Sequence, residues 1–445
     1  MGKLHKSVVC PILSGCVVDY FCKNKVMKSI LLSLCLIVFY STTGYSKGLT
    51  WNIHTFIYDQ IFPSYSWAVS NLGNESENEV GNFFGDNAGQ MGIVMSEVKK
   101  GQHIKVVIYE NDIMEQSELE FSVLKDQNIY FYAYPQILYK WSILEKWKQP
   151  KPINVKIELI INGKSLGYQS KRIIARSIND CPFFVANENG VLCDLNYVYL
   201  SYVNENHPLI ADKIIPEILK DGIINRVNGY QGINRETENY DEVYKQVYAV
   251  WDYFKKNDFF YSNLTSNYKF DEGFPMFTAQ FVRTFSDIFN TKQANCVEGT
   301  VLMASILQKM GISTFLMTTP SHCFLGFSLD GTKDHMSFLE TTILGTDISS
   351  ISPDDRAYIE SFQLTESDTY FRLKQSKQTY DMFIYALLVG NQNYQNDKDK
   401  FRNELDETII VIPSVDELKA KFDLMNYHIL DVNYYRGIGL LPLNL

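Results

Sequence analysis

The 445-residue chain is 46% hydrophobic and 21% charged, the balance of a packed protein of two or three domains rather than a disordered or fibrous one. Its formal charge of −10 argues against a nucleic-acid partner. Four of the eight cysteines (Cys10, Cys16, Cys22, Cys35) precede residue 47, and the remaining four (Cys181, Cys193, Cys296, Cys323) are too few for a disulfide-stapled scaffold or a cysteine-rich zinc module.

The front of the chain reads as a secretory signal peptide over residues 1–46. A short apolar run, residues 30–39 (ILLSLCLIVF), follows Lys23, Lys25 and Lys28 and precedes the small residues Gly44 and Ser46, which allow cleavage after Ser46. A spanning helix needs roughly 20 apolar residues, so membrane contact is expected only through this transient segment. Met27 followed by Lys28 is the start that gives a signal of ordinary length. The five lysines and one aspartate of residues 1–46 leave with it, taking the formal charge from −10 to −14. The expectation is an exported acidic protein, periplasmic, secreted or at the cell surface.

Residues 47–182 read as an antiparallel β-sandwich. Residues 102–109 (QHIKVVIY) and 118–124 (ELEFSVL) carry branched and aromatic side chains with partial alternation. Val155, Ile157, Leu159 and Ile161 alternate with polar neighbours and run into Asn162-Gly163, a strong hairpin signal. Residues 183–445 form the expected second domain. Val243, Val247, Val250, Trp251 and Phe254 recur at helical spacing, which predicts an amphipathic helix over 241–255. Strands are expected at 315–317, 323–329 and 336–341, and an apolar strand-like stretch at 408–412. The predicted fold class is α+β.

The chemistry concentrates in residues 291–311 (TKQANCVEGTVLMASILQKMG). Asn295 and Glu298 stand at the spacing of a capping box, and Gly311 closes the helix. Cys296 thus falls at the first helical position, where open backbone N–H groups and the helix dipole favour a thiolate. A thiol nucleophile needs a base, and the base an orienting group. If Asp330-Gly331-Thr332 forms a three-residue hairpin loop, His322 lies directly opposite Glu340, close enough for the carboxylate to hold the ring. Cys323 then points to the opposite face as a core residue. Cys296, His322 and Glu340 are the expected nucleophile, base and orienter. An ordinary buried thiol and a satisfied core histidine are the bland alternatives.

The run NCVEGTVLMASILQKMGI, followed by PSHCFLGF and FLETT, resembles the core of the transglutaminase-like superfamily of papain-type cysteine enzymes, in its bacterial secreted type. There a Cys opens a helix, and a His and an acid follow on adjacent strands. The resemblance covers residues 240–345; FLETT departs from the family's usual Asp-x-Thr, which makes Glu340 the acid. It implies a cysteine peptidase or amidase acting on a peptide or protein through an acyl-enzyme. A protein-crosslinking transglutaminase, or an inactive binding or assembly module of the same fold, is the alternative. The Cys296 N–H is one expected oxyanion donor, with a side-chain amide from Gln293, preferred, or Gln280. No cofactor and no metal are expected, because no Cys/His spacing matches a zinc site. Cys181 and Cys193 could close a short disulfide loop in an oxidising compartment or stay as buried thiols. The glycosylation patterns at Asn74 and Asn263 are too short to carry weight.

Overall fold

The computed structural model describes residues 49–72, 83–86, 88–126, 130–186, 192–262, 276–361, 377–402, 417 and 425–444. The signal segment 1–46, the glycosylation patterns at Asn74 and Asn263 and the strand-like stretch 408–412 lie outside the described residues. The protein is mixed α+β. Its chain divides into two compact units, the first running to Ala175 with residues 62–71 excluded, the second comprising those residues and the chain from Arg176 onward, apart from residues 406–409.

The first unit holds β1 (Trp51–Thr55), β2 (Gln60–Ile61), β3 (Phe83–Gly85), β4 (Met91–Met95), β5 (His103–Ile108), β6 (Ser117–Ser122), β7 (Phe131–Tyr134), β8 (Lys151–Ile161) and β9 (Lys164–Ala175). They form a four-stranded sheet, β1-β4-β7-β3, and a five-stranded sheet, β2-β9-β8-β5-β6. The β8–β9 hairpin turns at Asn162 and Gly163, both at positive φ (51° and 76°), as the Asn-Gly pair requires. One core cluster draws residues from both sheets, among them Ile53, Met91 and Ile93 from one and Ile104, Val106, Val155, Ile157 and Leu159 from the other. The pairing is not wholly antiparallel. Two short edge strands, β3 beside β7 and β2 beside β9, pair in parallel because they enter from connections that bypass a hairpin.

The boundary expected at residue 182 falls earlier, between Ala175 and Arg176. The reason is strand pairing: β10 (Asp180–Ala186) is hydrogen-bonded to β11 (Leu192–Asp194) and β13 (Met276–Phe281), both in the second unit. The second unit also contains β12 (Phe260–Tyr261), β14 (Gln293–Ala294), β15 (Thr314–Thr318), β16 (Cys323–Ser328), β17 (Met336–Leu339) and β18 (His428–Asp431). Its longer helices are α1 (Asp241–Lys256), α2 (Cys296–Lys309) and α3 (Lys377–Asp397).

Helix α1 forms where the apolar period predicts it. Val243, Val247, Val250, Trp251 and Phe254 are fully buried, each contributing about 1.5–3 kcal/mol through removal from water. The main sheet of this unit has the order β17-β16-β15-β18. Helix α2 packs on β15 and β16, whereas α3 packs on β17. Phe315, Met317, Phe324, Phe338 and Ile429 form one cluster of this sheet, with Tyr394 of α3 against it. Among the described residues no helix is long and apolar enough to cross a membrane.

Candidate active site

The start of α2 is built by reciprocal capping. The Asn295 side chain accepts from the Glu298 N–H (2.9 Å), and the Glu298 carboxylate accepts from the Asn295 N–H (3.0 Å). That box leaves the N–H groups of Cys296 and Val297 at the open helix start, where a developing negative charge is best received. Glu298 is fully buried and is matched by Arg283, whose Nε and Nη2 donate to its two carboxylate oxygens at 2.9 and 2.6 Å. The Arg283 backbone N–H adds a third bond at 2.9 Å. At the far end, Gly311 at φ +82° completes a Schellman motif: its N–H reaches the Gln308 carbonyl, and the Ile312 N–H reaches Leu307. Both helix ends are therefore fixed, and Cys296 cannot drift by a turn.

His322 stands just before β16 with its ring hydrogen-bonded to Glu340, and the nearby Cys296 acts with Glu340 on its protonation. The bond to Glu340 runs from Nε2 to Oε2 at 2.6 Å, which leaves Nδ1 as the nitrogen for the sulfur. Burial alone would lower the imidazole from its ordinary value of 6.5. The hydrogen bonds to Cys296 and Glu340 and the carboxylate's charge outweigh burial and push it up to about 10. Glu340 is itself held at both oxygens. Its Oε1 accepts from the Thr342 N–H (3.0 Å) and hydroxyl (2.7 Å), and its Oε2 accepts from Asn393 Nδ2 (3.0 Å) as well as from His322.

The structure thus brings Cys296, His322 and Glu340 together, but not by the expected register. Leu325 pairs with Leu339 and Gly326 with Phe338, so a continued ladder would set Phe324, not His322, opposite Glu340. The turn is wider than three residues: the Leu329 N–H bonds the His335 carbonyl across it. Ser328 Oγ accepts from the Gly331 N–H, and Asp330 Oδ1 accepts from the Thr332 N–H and hydroxyl, which stabilises the longer loop. The offset is two residues, so Glu340 keeps the face of His322 and meets it diagonally. The extra methylene of glutamate over aspartate covers that diagonal. Cys323 is buried as expected, and burial pushes its thiol well up.

Of the two states expected for Cys181 and Cys193, the disulfide is not formed: Cys181, Cys193, Cys296 and Cys323 are all in the thiol form. Cys193 pairs with Val185 on β10, four residues along the strand from Cys181. At roughly 3.3 Å per residue that separation far exceeds the Cα distance a disulfide spans.

Gln293 lies on β14, half-buried, with its backbone paired to Phe260 of β12 and its carboxamide without a hydrogen bond among the described residues. Gln280 on β13 is buried, and its Oε1 accepts from the Tyr199 hydroxyl at 3.0 Å, which turns its amide nitrogen away from Tyr199. Burial raises the Tyr199 phenol, and the nearby Cys181, Cys323 and Cys296 sulfurs raise it further, so Tyr199 and Gln280 belong to the neighbourhood of the nucleophile. No group of three or more His, Cys, Asp or Glu residues that could hold a metal ion occurs among the described residues.

Sequence reasoning missed Asn393 and the helix that carries it. Gly390 supplied the signal: a Cβ there would stand 2.6 Å from the Phe338 carbonyl carbon and oxygen, so only glycine lets α3 lie directly on β17. The Glu340 N–H also bonds the Ala386 carbonyl of α3 (3.0 Å), and Asn393 follows Gly390 on the same helix within reach of the carboxylate. A glycine, Gly390, that ends the apolar run 382–389 (MFIYALLV) and is followed by the polar run 391–393 (NQN) is the legible trace of this contact. Comparison of the chain with protein-family models, with curated proteins and with solved structures finds no match.

Proposed function

We propose that this chain is an exported cysteine hydrolase, a peptidase or amidase with a transglutaminase-like catalytic core preceded by a β-sandwich. The observation that carries the reading is the His322 ring, hydrogen-bonded to a fully anchored Glu340 and close enough to Cys296 for the two to act on each other's charge. The Cys296 thiolate attacks the amide carbonyl carbon. The oxygen gains the negative charge and is met by the Cys296 and Val297 N–H groups at the helix start, with the carboxamide of Gln293 or Gln280 as the further donor. Protonated His322 gives its proton to the leaving amine as the C–N bond breaks. Neutral His322 then draws a proton from water, which attacks the thioester carbonyl; the C–S bond breaks, the acid leaves and the thiolate with protonated His322 is restored. Glu340 holds the ring in place throughout and does not take its proton.

Incubation of the secreted protein with a fluorescently quenched peptide library tests this reading. Cleavage that Cys296→Ala and His322→Ala each abolish supports it. Incorporation of a labelled primary amine into glutamine-containing protein, without peptide cleavage, would instead show a transferase. Neither activity, in a folded protein, points to the inactive module.

A further inference from the structure

Helix α3 lies outside residues 240–345, the stretch that carries the resemblance, yet it grips Glu340 at two points. The Ala386 carbonyl accepts from the Glu340 N–H at 3.0 Å, and Asn393 Nδ2 donates to Glu340 Oε2 at 3.0 Å. Ala386 and Asn393 stand about two turns apart on the helix, so they share one face of it. Between them Gly390 lies on β17: a Cβ there would stand 2.6 Å from the Phe338 carbonyl carbon and oxygen and 2.7 Å from the Leu339 nitrogen. Asn391 Nδ2 donates to the Phe338 carbonyl at 3.4 Å, and Tyr394 stacks on the Phe338 ring with centroids 4.1 Å apart. Contacts on both sides of the half-buried Asn393 therefore fix where it stands.

The Glu340 carboxylate has two kinds of partner. Thr342 supplies both donors to Oε1, its N–H at 3.0 Å and its hydroxyl at 2.7 Å, but it belongs to the same turn of chain as Glu340. A carboxylate held at one oxygen by its own turn can still swing the other oxygen about that point. The oxygen left to swing is Oε2, which meets His322 Nε2 at 2.6 Å. Oε2 has two acceptor positions; Asn393 fills one and leaves the other to the imidazole. Because the amide is uncharged, it steadies the carboxylate without supplying a rival counter-charge to the imidazolium. Among the described residues no hydrogen bond joins Asn393 to Cys296 or His322, so its effect passes through Glu340.

We infer that Asn393 is a positioning residue of the reaction, which sets the plane of the Glu340 carboxylate and through it the ring of His322. The inference rests on the cysteine-hydrolase reading above. It extends the working site from three residues to four, and from the resembling stretch into α3.

The test is the rate of Cys296 alkylation by iodoacetamide in the full secreted chain, for wild type, Asn393→Ala, Glu340→Ala and the double variant. The thiolate displaces iodide from the reagent, so at about pH 6 the rate reads how well His322 and Glu340 maintain the thiolate. Asn393→Ala should slow it by about threefold to tenfold at that pH, the scale of one hydrogen bond. At about pH 9.5 an ordinary thiol is largely ionised, and the deficit should vanish. In the Glu340→Ala background the same substitution should change nothing, because the group it acts through is gone. Asn393→Leu fills the space without a donor and carries the same expectations if alanine loosens α3. A deficit that is equal at both pH values, or that persists without Glu340, shows a role in packing or access and overturns the inference. Asn393→Ala that labels like wild type at about pH 6, while Glu340→Ala is slow, overturns it and leaves the hydrolase reading standing. A wild type no faster than Glu340→Ala at that pH overturns both.

Discussion

Replacing Glu298 with alanine should be among the most damaging single changes in the second unit, although Glu298 touches no substrate. Its carboxylate is fully buried and accepts from Arg283 Nε, Arg283 Nη2, the Arg283 N–H and the Asn295 N–H. Alanine leaves the guanidinium, only 17% exposed, without its counter-charge and opens two backbone donors. Removing one partner of a buried ion pair costs about 3–5 kcal/mol, most of it the stranded charge rather than the lost attraction. At roughly 2–4 °C per kcal/mol for a unit of this size, the melting temperature should fall by about 6–20 °C. Urea titration followed by circular dichroism measures the free energy directly. Glu298→Gln retains the capping geometry but not the charge, so it should lie between wild type and alanine. The paired replacement Arg283→Met with Glu298→Leu should recover part of the loss, because it removes both charges together. A Glu298→Ala protein within about 1 kcal/mol of wild type would refute the reasoning.

Three further outcomes follow from the same contacts. Gly390→Ala drives a Cβ against the Phe338 backbone and should cost about 1–3 kcal/mol in a urea titration, with a parallel loss of activity as α3 lifts Asn393 from Glu340. The His322 pair predicts a pH window: its imidazole is raised from 6.5 to about 10 on folding, so its stabilisation is complete below about pH 6.5 and lost as pH rises through 10. The stability difference between wild type and His322→Gln, measured at pH 6 and at pH 10.5, should therefore be larger at pH 6, and equal differences would contradict the assignment. Glu340→Gln removes the charge that holds the imidazolium. A hydrogen bond to a charged group is worth about 1.5–3 kcal/mol, so the rate of Cys296 alkylation at pH 6 should fall by roughly tenfold to a hundredfold.

The site's residues were more legible in the sequence than its geometry. The Asn295–Glu298 box and Gly311 mark both ends of α2 through short-range chemistry, and the structure keeps both. The β8–β9 hairpin was equally plain, because Asn162-Gly163 is the pair that tolerates two successive positive φ angles. The register of β16 and β17 was not. It depends on Ser328 and Asp330 bonding back to their own turn, a choice among loops that strand alternation does not encode. The parity of the strands survived the two-residue offset, and for that reason His322 and Glu340 still meet. The pairing of Asn393 with Glu340 was beyond local reading, because the two lie 53 residues apart and meet only once α3 packs on β17 through one glycine. The early boundary at Ala175 likewise reflects a long-range pairing of β10 with β13.

The central claim is that Cys296 is a nucleophile activated by His322, and its alkylation by iodoacetamide as a function of pH tests that claim most directly. Rates are followed by mass spectrometry of the Cys296 peptide, with His322→Ala as the comparison. The account predicts rapid labelling already at pH 6 in the wild type, and labelling in His322→Ala that rises only as the pH nears that of an ordinary thiol, about 8.5. A wild-type Cys296 that follows the same late rise as His322→Ala would contradict it.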